Sequence, residues 1–108
     1  ITIVNKVVKP ANKQAIAVVS GRLEDSDSCV RQAVGSVLLN MVGRSDAVAV
    51  GAVAIRLEHL DARVREAAGE ALHEIADEGD AFAISVLCKL LDHHDVLVRL
   101  AAIKALTK

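Results

Sequence analysis

Apolar residues recur at helical spacing in the middle of the chain. Two stripes follow the order i, i+3, i+4, i+7, and they predict one α-helix over about residues 47–58 and another over about residues 62–76. The first stripe consists of Val50, Val53, Ala54 and Leu57. The second stripe consists of Val64, Ala67, Ala68, Ala71, Leu72 and Ile75. Each predicted helix has one apolar face, so the two should pair as a helical hairpin.

Polar and glycine residues mark the ends of these helices. Asp46 and Asp61 directly precede the two helices. Both are predicted N-caps, because a short side-chain oxygen can accept hydrogen bonds from the free amides of the opening turn. Gly79 follows the second helix and should close the unit in a left-handed conformation, which costs glycine little.

The pattern repeats every 34 residues along the chain. The aligned triplets are Asp27, Val30 and Arg31; Asp61, Val64 and Arg65; and Asp95, Val98 and Arg99. The step is 34 residues in both cases (61 − 27 and 95 − 61), and the register holds without a gap. We therefore divide the chain into one array, with a partial unit at 1–11 and repeats at 12–45, 46–79 and 80–108, the last one truncated.

The phase of the repeat places both ends of the sequence inside a hairpin. Residues 1–9 align with the back half of a second helix, which Pro10 would end. Lys108 aligns with Glu74, partway along a second helix. We therefore expect this chain, which begins with Ile1, to be a piece of a longer array. Its apolar ends, around Ile3, Val7, Ala101 and Ala105, are expected to associate end to end in isolation.

The repeated unit resembles a known family. The pattern Leu, Asp, Val-Arg, Ala-Ala and Ala-Leu is carried in the middle unit by Leu57, Asp61, Val64, Arg65, Ala67, Ala68, Ala71 and Leu72. It resembles HEAT repeats, particularly the short HEAT-like class of phycobilisome-lyase-type proteins. The resemblance implies an all-α fold, a right-handed α-solenoid of stacked antiparallel helix hairpins. It also implies a ladder of charged pairs between neighbouring units, which would fix the stacking angle more than the stability. The ladder residues are Asp27, Arg31, Asp61, Arg65, Asp95 and Arg99.

Composition narrows the functional classes. The chain is 53% hydrophobic, with no Trp or Tyr and with Phe82 as its one Phe. Small aliphatic side chains suit helices that pack closely, whereas binding to single-stranded nucleic acid usually needs aromatic and basic residues. The formal net charge is −1, so we predict no nucleic-acid partner. No apolar run reaches the ~20 residues needed to span a membrane, so no membrane contact is predicted.

The cysteine and histidine residues do not indicate a metal site or a catalytic site. Cys29 and Cys88 are expected to be buried small hydrophobes in a reducing compartment, which predicts a cytoplasmic location. His59, His93 and His94 lie in predicted turns, where we expect them to be exposed to solvent. Turns of neighbouring units are too far apart to ensure metal bonds of ~2 Å. We therefore predict no metal, cofactor or catalytic residue.

The candidate partner surface lies on the second helix of the middle unit. Its residues share one helix face: Glu66, Glu70, His73, Glu74 and Asp77. The resemblance implies that second helices line a concave surface on which partners dock. An acidic stripe there would favour a basic segment of another protein. The leading interpretation is therefore a non-enzymatic protein-interaction scaffold.

Two alternatives remain at this point: a bilin lyase or lyase subunit, and a purely structural spacer. A third, a HEAT-repeat di-iron hydroxylase, needs His-Glu pairs in several units. Here the one such pair, His73–Glu74, aligns with Leu39–Asn40 and Thr107–Lys108, which cannot bind iron.

Overall fold

The computed structural model describes residues 13–107, and every regular element in this range is helical. The all-α class predicted from the sequence is therefore confirmed. The predictions for residues 1–9, Pro10 and Lys108 lie outside the described residues. The α-helices are α1 (13–21), α2 (Ser28–Val42), α3 (Ala47–Ile55), α4 (Ala62–Ile75), α5 (Ala81–Leu90) and α6 (Val96–Thr107), with 3₁₀ turns at Arg22–Glu24 and Arg56–Glu58.

The helices of the middle unit match their predicted ranges closely. The predicted helix over about 47–58 is α3 followed directly by a 3₁₀ turn. The predicted helix over about 62–76 is α4, which ends one residue earlier. Both N-caps are confirmed, because Asp46 Oδ1 accepts from the amides of Val48 and Ala49, and Asp61 Oδ1 accepts from the amide of Arg63. Local capping chemistry thus sets where each helix begins.

The helices pack in two layers. In one layer α4 lies between α2 and α6, and in the other α3 packs against α5. The layers meet where α3 contacts α4 and α5 contacts α6. Between them lies an aliphatic core in which Leu38, Leu57 and Ile75 are fully buried. Ala68 and Ala102, both at 0% exposure, allow the second helices to approach closely.

The connections that follow α2 and α4 each contain a left-handed residue at the same position of the repeat. Gly79 has φ 81°, and Ser45, which aligns with it, has φ 59°. The left-handed conformation predicted for Gly79 is confirmed, but Gly79 does not end the helix itself. The helix α4 ends at Ile75 with an extended Ala76, and Gly79 lies further along the loop. The Ser45 amide donates to Ile75 O, and its Oγ accepts from the Asp77 amide at 2.8 Å. These bonds attach the loop of one unit to the next unit.

Candidate interaction surface

The turn before each second helix uses the same hydrogen-bonding arrangement. His59 Nδ1 accepts from the Asp61 amide, and His93 Nδ1 accepts from the Asp95 amide, both at 3.0 Å. In the first unit, the carboxylate of Asp25 takes this place and accepts from the Asp27 amide. Residues 25, 59 and 93 therefore hold the turn that presents each N-cap.

The turn histidines also reach the preceding unit. His59 Nε2 lies 3.5 Å from Glu24 Oε1, and His93 Nε2 lies 3.3 Å from Glu58 Oε1. The side chains of His59 and His93 are 34% and 19% exposed, so the prediction of solvent-exposed turn histidines is wrong for both. The prediction holds for His94, which is exposed. A polar ring that satisfies both nitrogens can be partly buried at little cost.

The repeated arginines bind within their own unit. Arg31 Nη1 donates to Asp25 O at 2.7 Å, and Arg99 Nη1 donates to His93 O at 2.6 Å. Arg65 Nη1 donates to both His59 O and Leu60 O. Each guanidinium therefore braces the turn that precedes its own helix.

The structure differs here from the expected ladder between units. Asp27, Asp61 and Asp95 cap their own helices, each accepting from an amide two residues further along. Charged contacts between units come from other residues. Arg56 Nε, for example, donates to Glu24 Oε2 at 3.1 Å. The carbonyls that accept from the arginines are only five or six residues away in the chain, whereas an aspartate of a neighbouring unit is about 34 residues away. The local carbonyls therefore take up the guanidinium groups.

The pKa of Asp61, the N-cap residue of α4, is lowered. Side-chain and backbone hydrogen bonds from Arg63 lower the pKa of Asp61 from 3.8 to about 2. The same contact raises the pKa of Arg63. Because Arg63 Nη2 lies 3.0 Å from Asp61 Oδ2, the charge of this arginine is compensated locally.

The acidic stripe on α4 divides into two parts. Glu66 and Glu70 are exposed, and within residues 13–107 neither carboxylate has a hydrogen-bond or ion-pair partner. Glu74 and Asp77 instead contact the first unit. Glu74 Oε2 accepts from Ser36 Oγ at 3.1 Å, and Asp77 Oδ1 lies 3.5 Å from Arg44 Nε. The half of the stripe nearer the N-terminus of α4 therefore carries the uncompensated charge.

His73 lies apart from the exposed part of the stripe. It is partly buried and lines a cleft of about 320 Å³ between α4, α5 and the end of α6. Aliphatic residues such as Leu87 and Leu106 share this cleft with the carboxylate of Asp80. Its volume is at the lower end of the range for small-molecule sites, ~300–1,000 Å³. The sequence grouped His73 with the stripe by spacing alone, and the structure places it against the third unit.

The cysteines are not buried. Cys29 and Cys88 are both free and exposed, so the prediction that they are buried small hydrophobes is wrong. Cys29 lies at the start of α2 and aligns in the repeat with Arg63, which is also exposed. That alignment was a signal in the sequence for its exposure.

Sequence reasoning missed one exposed apolar group. Val96, Leu97 and Leu100 on α6 are between 50% and 53% exposed. The aligned positions in the first two units carry mostly polar residues, so the third unit differs from them here.

Among residues 13–107 no group of His, Cys, Asp or Glu side chains could hold a metal ion. No helix in the same range is long and apolar enough to cross a membrane.

Comparison with known proteins assigns the family. The family model for HEAT repeats matches residues 51–108, which is more than half of the chain. No curated protein and no solved structure gives a significant match. The matched range contains the Asp–Val–Arg pattern of two successive units, together with the helices α4 to α6 that carry the exposed acidic and apolar residues. The chain therefore belongs to the HEAT repeat family.

Proposed function

We propose that this chain is a non-enzymatic protein-interaction module, which binds a basic segment of another protein on the face formed by its second helices. HEAT repeats generally mediate protein–protein interaction. The observation that carries the more specific proposal is the exposure of Glu66 and Glu70, one turn apart on α4 and without a partner among the described side chains. Lysine or arginine side chains of a partner would supply the missing charge.

The arrangement of the helices supports a docking face of this kind. We propose that the helix pairs stack as antiparallel hairpins in a right-handed solenoid, so that α2, α4 and α6 form one continuous, concave surface. The packing of α4 between α2 and α6 supports this arrangement. Glu74 and Asp77 contribute negative potential to the surface, but their contacts with Ser36 and Arg44 make them less available to a partner.

The test is capture of binding partners by the purified chain from an extract of its native source. The variant Glu66→Lys/Glu70→Lys reverses the charge of the exposed part of the stripe. The control Glu78→Lys/Asp92→Lys changes the net charge equally, at two exposed loop positions off the second helices. We expect the control to retain the proteins that the wild-type chain captures, and the α4 variant to lose them.

Two results would contradict the proposal. Equal capture by both variants would show that the acidic residues of α4 do not bind the partner. Failure of the wild-type chain to retain any protein above a blank resin would argue against an interaction module. Thermal unfolding of each variant should be measured first, since charge reversal of exposed residues should change stability by only ~0.5 kcal/mol or less.

End-to-end association is a separate proposal. Ile84 is 41% exposed, whereas the aligned Val50 and Ile16 are 0% and 2% exposed because a further unit covers them. Ala105, expected to be exposed at this end, is buried, and Ala101 is partly buried. Ile3 and Val7 lie outside the described residues. We expect sedimentation to show association that increases with concentration and that Ile84→Lys abolishes; a strict monomer at high concentration would contradict it.

A further inference from the structure

The first five residues of α6 include three exposed, bulky aliphatic side chains. Val96, Leu97 and Leu100 are 53%, 50% and 50% exposed, and we call these three residues the α6 patch. Leu100 is four residues from Val96 and three residues from Leu97, so it neighbours both on the helix surface. Water-exposed aliphatic groups of this size are individually common, but a contiguous group at the start of one helix calls for a physical explanation.

The exposure of the α6 patch does not arise from its place in the last unit. The same three positions are exposed in the first and second units, although a further unit packs beside each of those. The first unit has Ser28, Cys29 and Gln32 there, and the second has Ala62, Arg63 and Glu66. Stacking of another hairpin therefore leaves these positions open. Ile84 behaves differently, because its aligned residues are buried in both preceding units.

The charges beside the α6 patch define what could cover it. The helix α6 packs against α4, and Leu100 aligns with Glu66, whose carboxylate is exposed and has no partner in the described part of the chain. Arg63, which aligns with Leu97, is compensated by Asp61. Towards the C-terminus of α6, the exposed Lys104 aligns with Glu70. The repeat register therefore puts the negative charge of Glu66 on the neighbouring helix at the position equivalent to Leu100, and Lys104 lies one turn beyond Leu100 on α6 itself.

We infer that the α6 patch and Glu66 together form the docking site for an amphipathic segment of a partner protein, which places aliphatic side chains on Val96, Leu97 and Leu100 and a lysine or arginine over Glu66. This inference rests on the proposed function and specifies the partner's chemistry. The basic residue lies on the α4 side, because Lys104 repels it from the other end. Aliphatic contacts supply affinity through burial, and the charge pair fixes the orientation of the segment.

The test uses synthetic peptides of about 15 residues that have helical propensity and a fluorescent label. The first peptide carries leucines along one face and lysines beside them. In the second peptide the lysines are replaced by glutamates, and in the third the leucines are replaced by alanines. Binding to the full chain is followed by fluorescence anisotropy. We expect the first peptide to bind at least tenfold more tightly than either of the others.

Variants of the chain locate the site. Leu97→Ser/Leu100→Gln gives α6 small or polar residues similar to Cys29 and Gln32, which α2 carries at the same positions. The control Val48→Ser/Ile55→Gln removes two aliphatic residues that are equally open, at 42% and 64% exposure, on the other helix layer. We expect the first variant to weaken binding of the leucine–lysine peptide at least tenfold and the control to leave it within twofold. Both variants change exposed side chains, and circular dichroism should show unchanged helix content.

Each other outcome has a defined meaning. Weaker binding in Glu66→Lys/Glu70→Lys but unchanged binding in Leu97→Ser/Leu100→Gln would overturn this inference while the proposed acidic surface stands. The opposite result would overturn the assigned charge of the partner, and with it the role of Glu66. If the wild-type chain binds none of the peptides, the inference is overturned, and the capture experiment then decides separately whether the proposed function stands.

Discussion

Nε2 of His93 lies 3.3 Å from Oε1 of Glu58, a residue of the preceding unit. The pair His59 and Glu24 repeats this contact at 3.5 Å. Because Nδ1 of His93 accepts the Asp95 amide, the proton of the neutral ring is on Nε2 and points towards the carboxylate. One imidazole therefore holds the start of its own helix and touches the unit before it.

Two substitutions at His93 should separate these contacts. Asn can still accept the Asp95 amide through its side-chain oxygen, but it cannot reach Glu58. We expect His93→Asn to lower the free energy of unfolding by about 0.5–1 kcal/mol and His93→Ala by about 2 kcal/mol. Urea unfolding measures both, with Asp92→Ala, at an exposed residue of the same loop, as the control expected to cost ~0.5 kcal/mol or less. Equal losses in the Asn and Ala variants would show that the Glu58 contact is the larger of the two.

The partners of Arg65 lead to a prediction about coupling between units. Since Arg65 Nη1 donates to carbonyls of its own turn, Arg65→Ala should cost about 1–2 kcal/mol of stability. Its effect should add to that of Asp95→Ala within ~0.5 kcal/mol, because the two side chains do not interact. In the matched cycle, Arg56→Ala and Glu24→Ala remove an observed contact and should show a coupling of about 0.5–1 kcal/mol. Strong coupling between Arg65 and Asp95 would instead support the charged ladder between units that the family resemblance implied.

Gly35 and Gly69 occupy the same position in successive units but should respond differently to substitution. A Cβ atom at Gly69 meets nothing among the described atoms, so Gly69→Ala should stabilise α4 by about 0.5–1 kcal/mol through helix propensity. A Cβ at Gly35 would meet the Glu74 side chain, which must then move and lose its hydrogen bond to Ser36. We expect Gly35→Ala to give no stabilisation or a net loss. Thermal unfolding compares the two, and the cost of Gly35→Ala should become smaller in a Glu74→Ala background, where only the contact with Cβ of residue 74 at 3.1 Å remains. If the cost is unchanged there, the clash with the Glu74 carboxylate is not its cause.

The low pKa of Asp61 predicts a dependence of stability on pH. Its pKa is about 2 in the folded chain against 3.8 ordinarily. The folded state therefore favours the ionised form, and this contribution is complete above pH 3.8 and is lost as the pH falls towards 2. Asp61→Asn keeps a capping oxygen but has no charge to titrate. Urea unfolding between pH 5 and 2 should show stability falling less steeply in the variant than in the wild-type chain; parallel curves would contradict the assignment.

The helices and their caps could be predicted because their causes are local. Apolar spacing defined α3 and α4, and an aspartate before each helix marked its first residue. The exposure of Cys88, by contrast, could not be predicted from local pattern. It aligns with Ala54 and Ser20, which are buried, so the register favoured burial. Within the described residues no further hairpin packs on the third unit, and Cys88 is exposed. Burial in a repeat depends on the neighbouring unit, which local pattern does not report.

The candidate site was predicted only in part. The spacing of Glu66 and Glu70 correctly placed both on one exposed helix face. It could not show that Glu74 and Asp77 are engaged by Ser36 and Arg44 of the first unit, because those contacts depend on how the units stack. The acceptors of the repeated arginines could not be predicted either, because every residue has a backbone carbonyl and the sequence does not show which one accepts. The apolar start of α6 was visible in the sequence, and the alignment of Leu97 and Leu100 with Arg63 and Glu66 was a signal of its exposure that spacing within α6 alone does not give.

The side-chain contacts between neighbouring units join residues that are 30 to 38 positions apart. Each residue thus finds its partner about one repeat length away, and none of these contacts depends on a distant part of the chain. Duplication or deletion of a whole 34-residue segment would keep the register in which neighbouring units pack. A single-residue insertion within α4 would rotate its later residues by ~100° and misplace the contacts on both sides. The array can therefore change length only in whole units without rebuilding its interior.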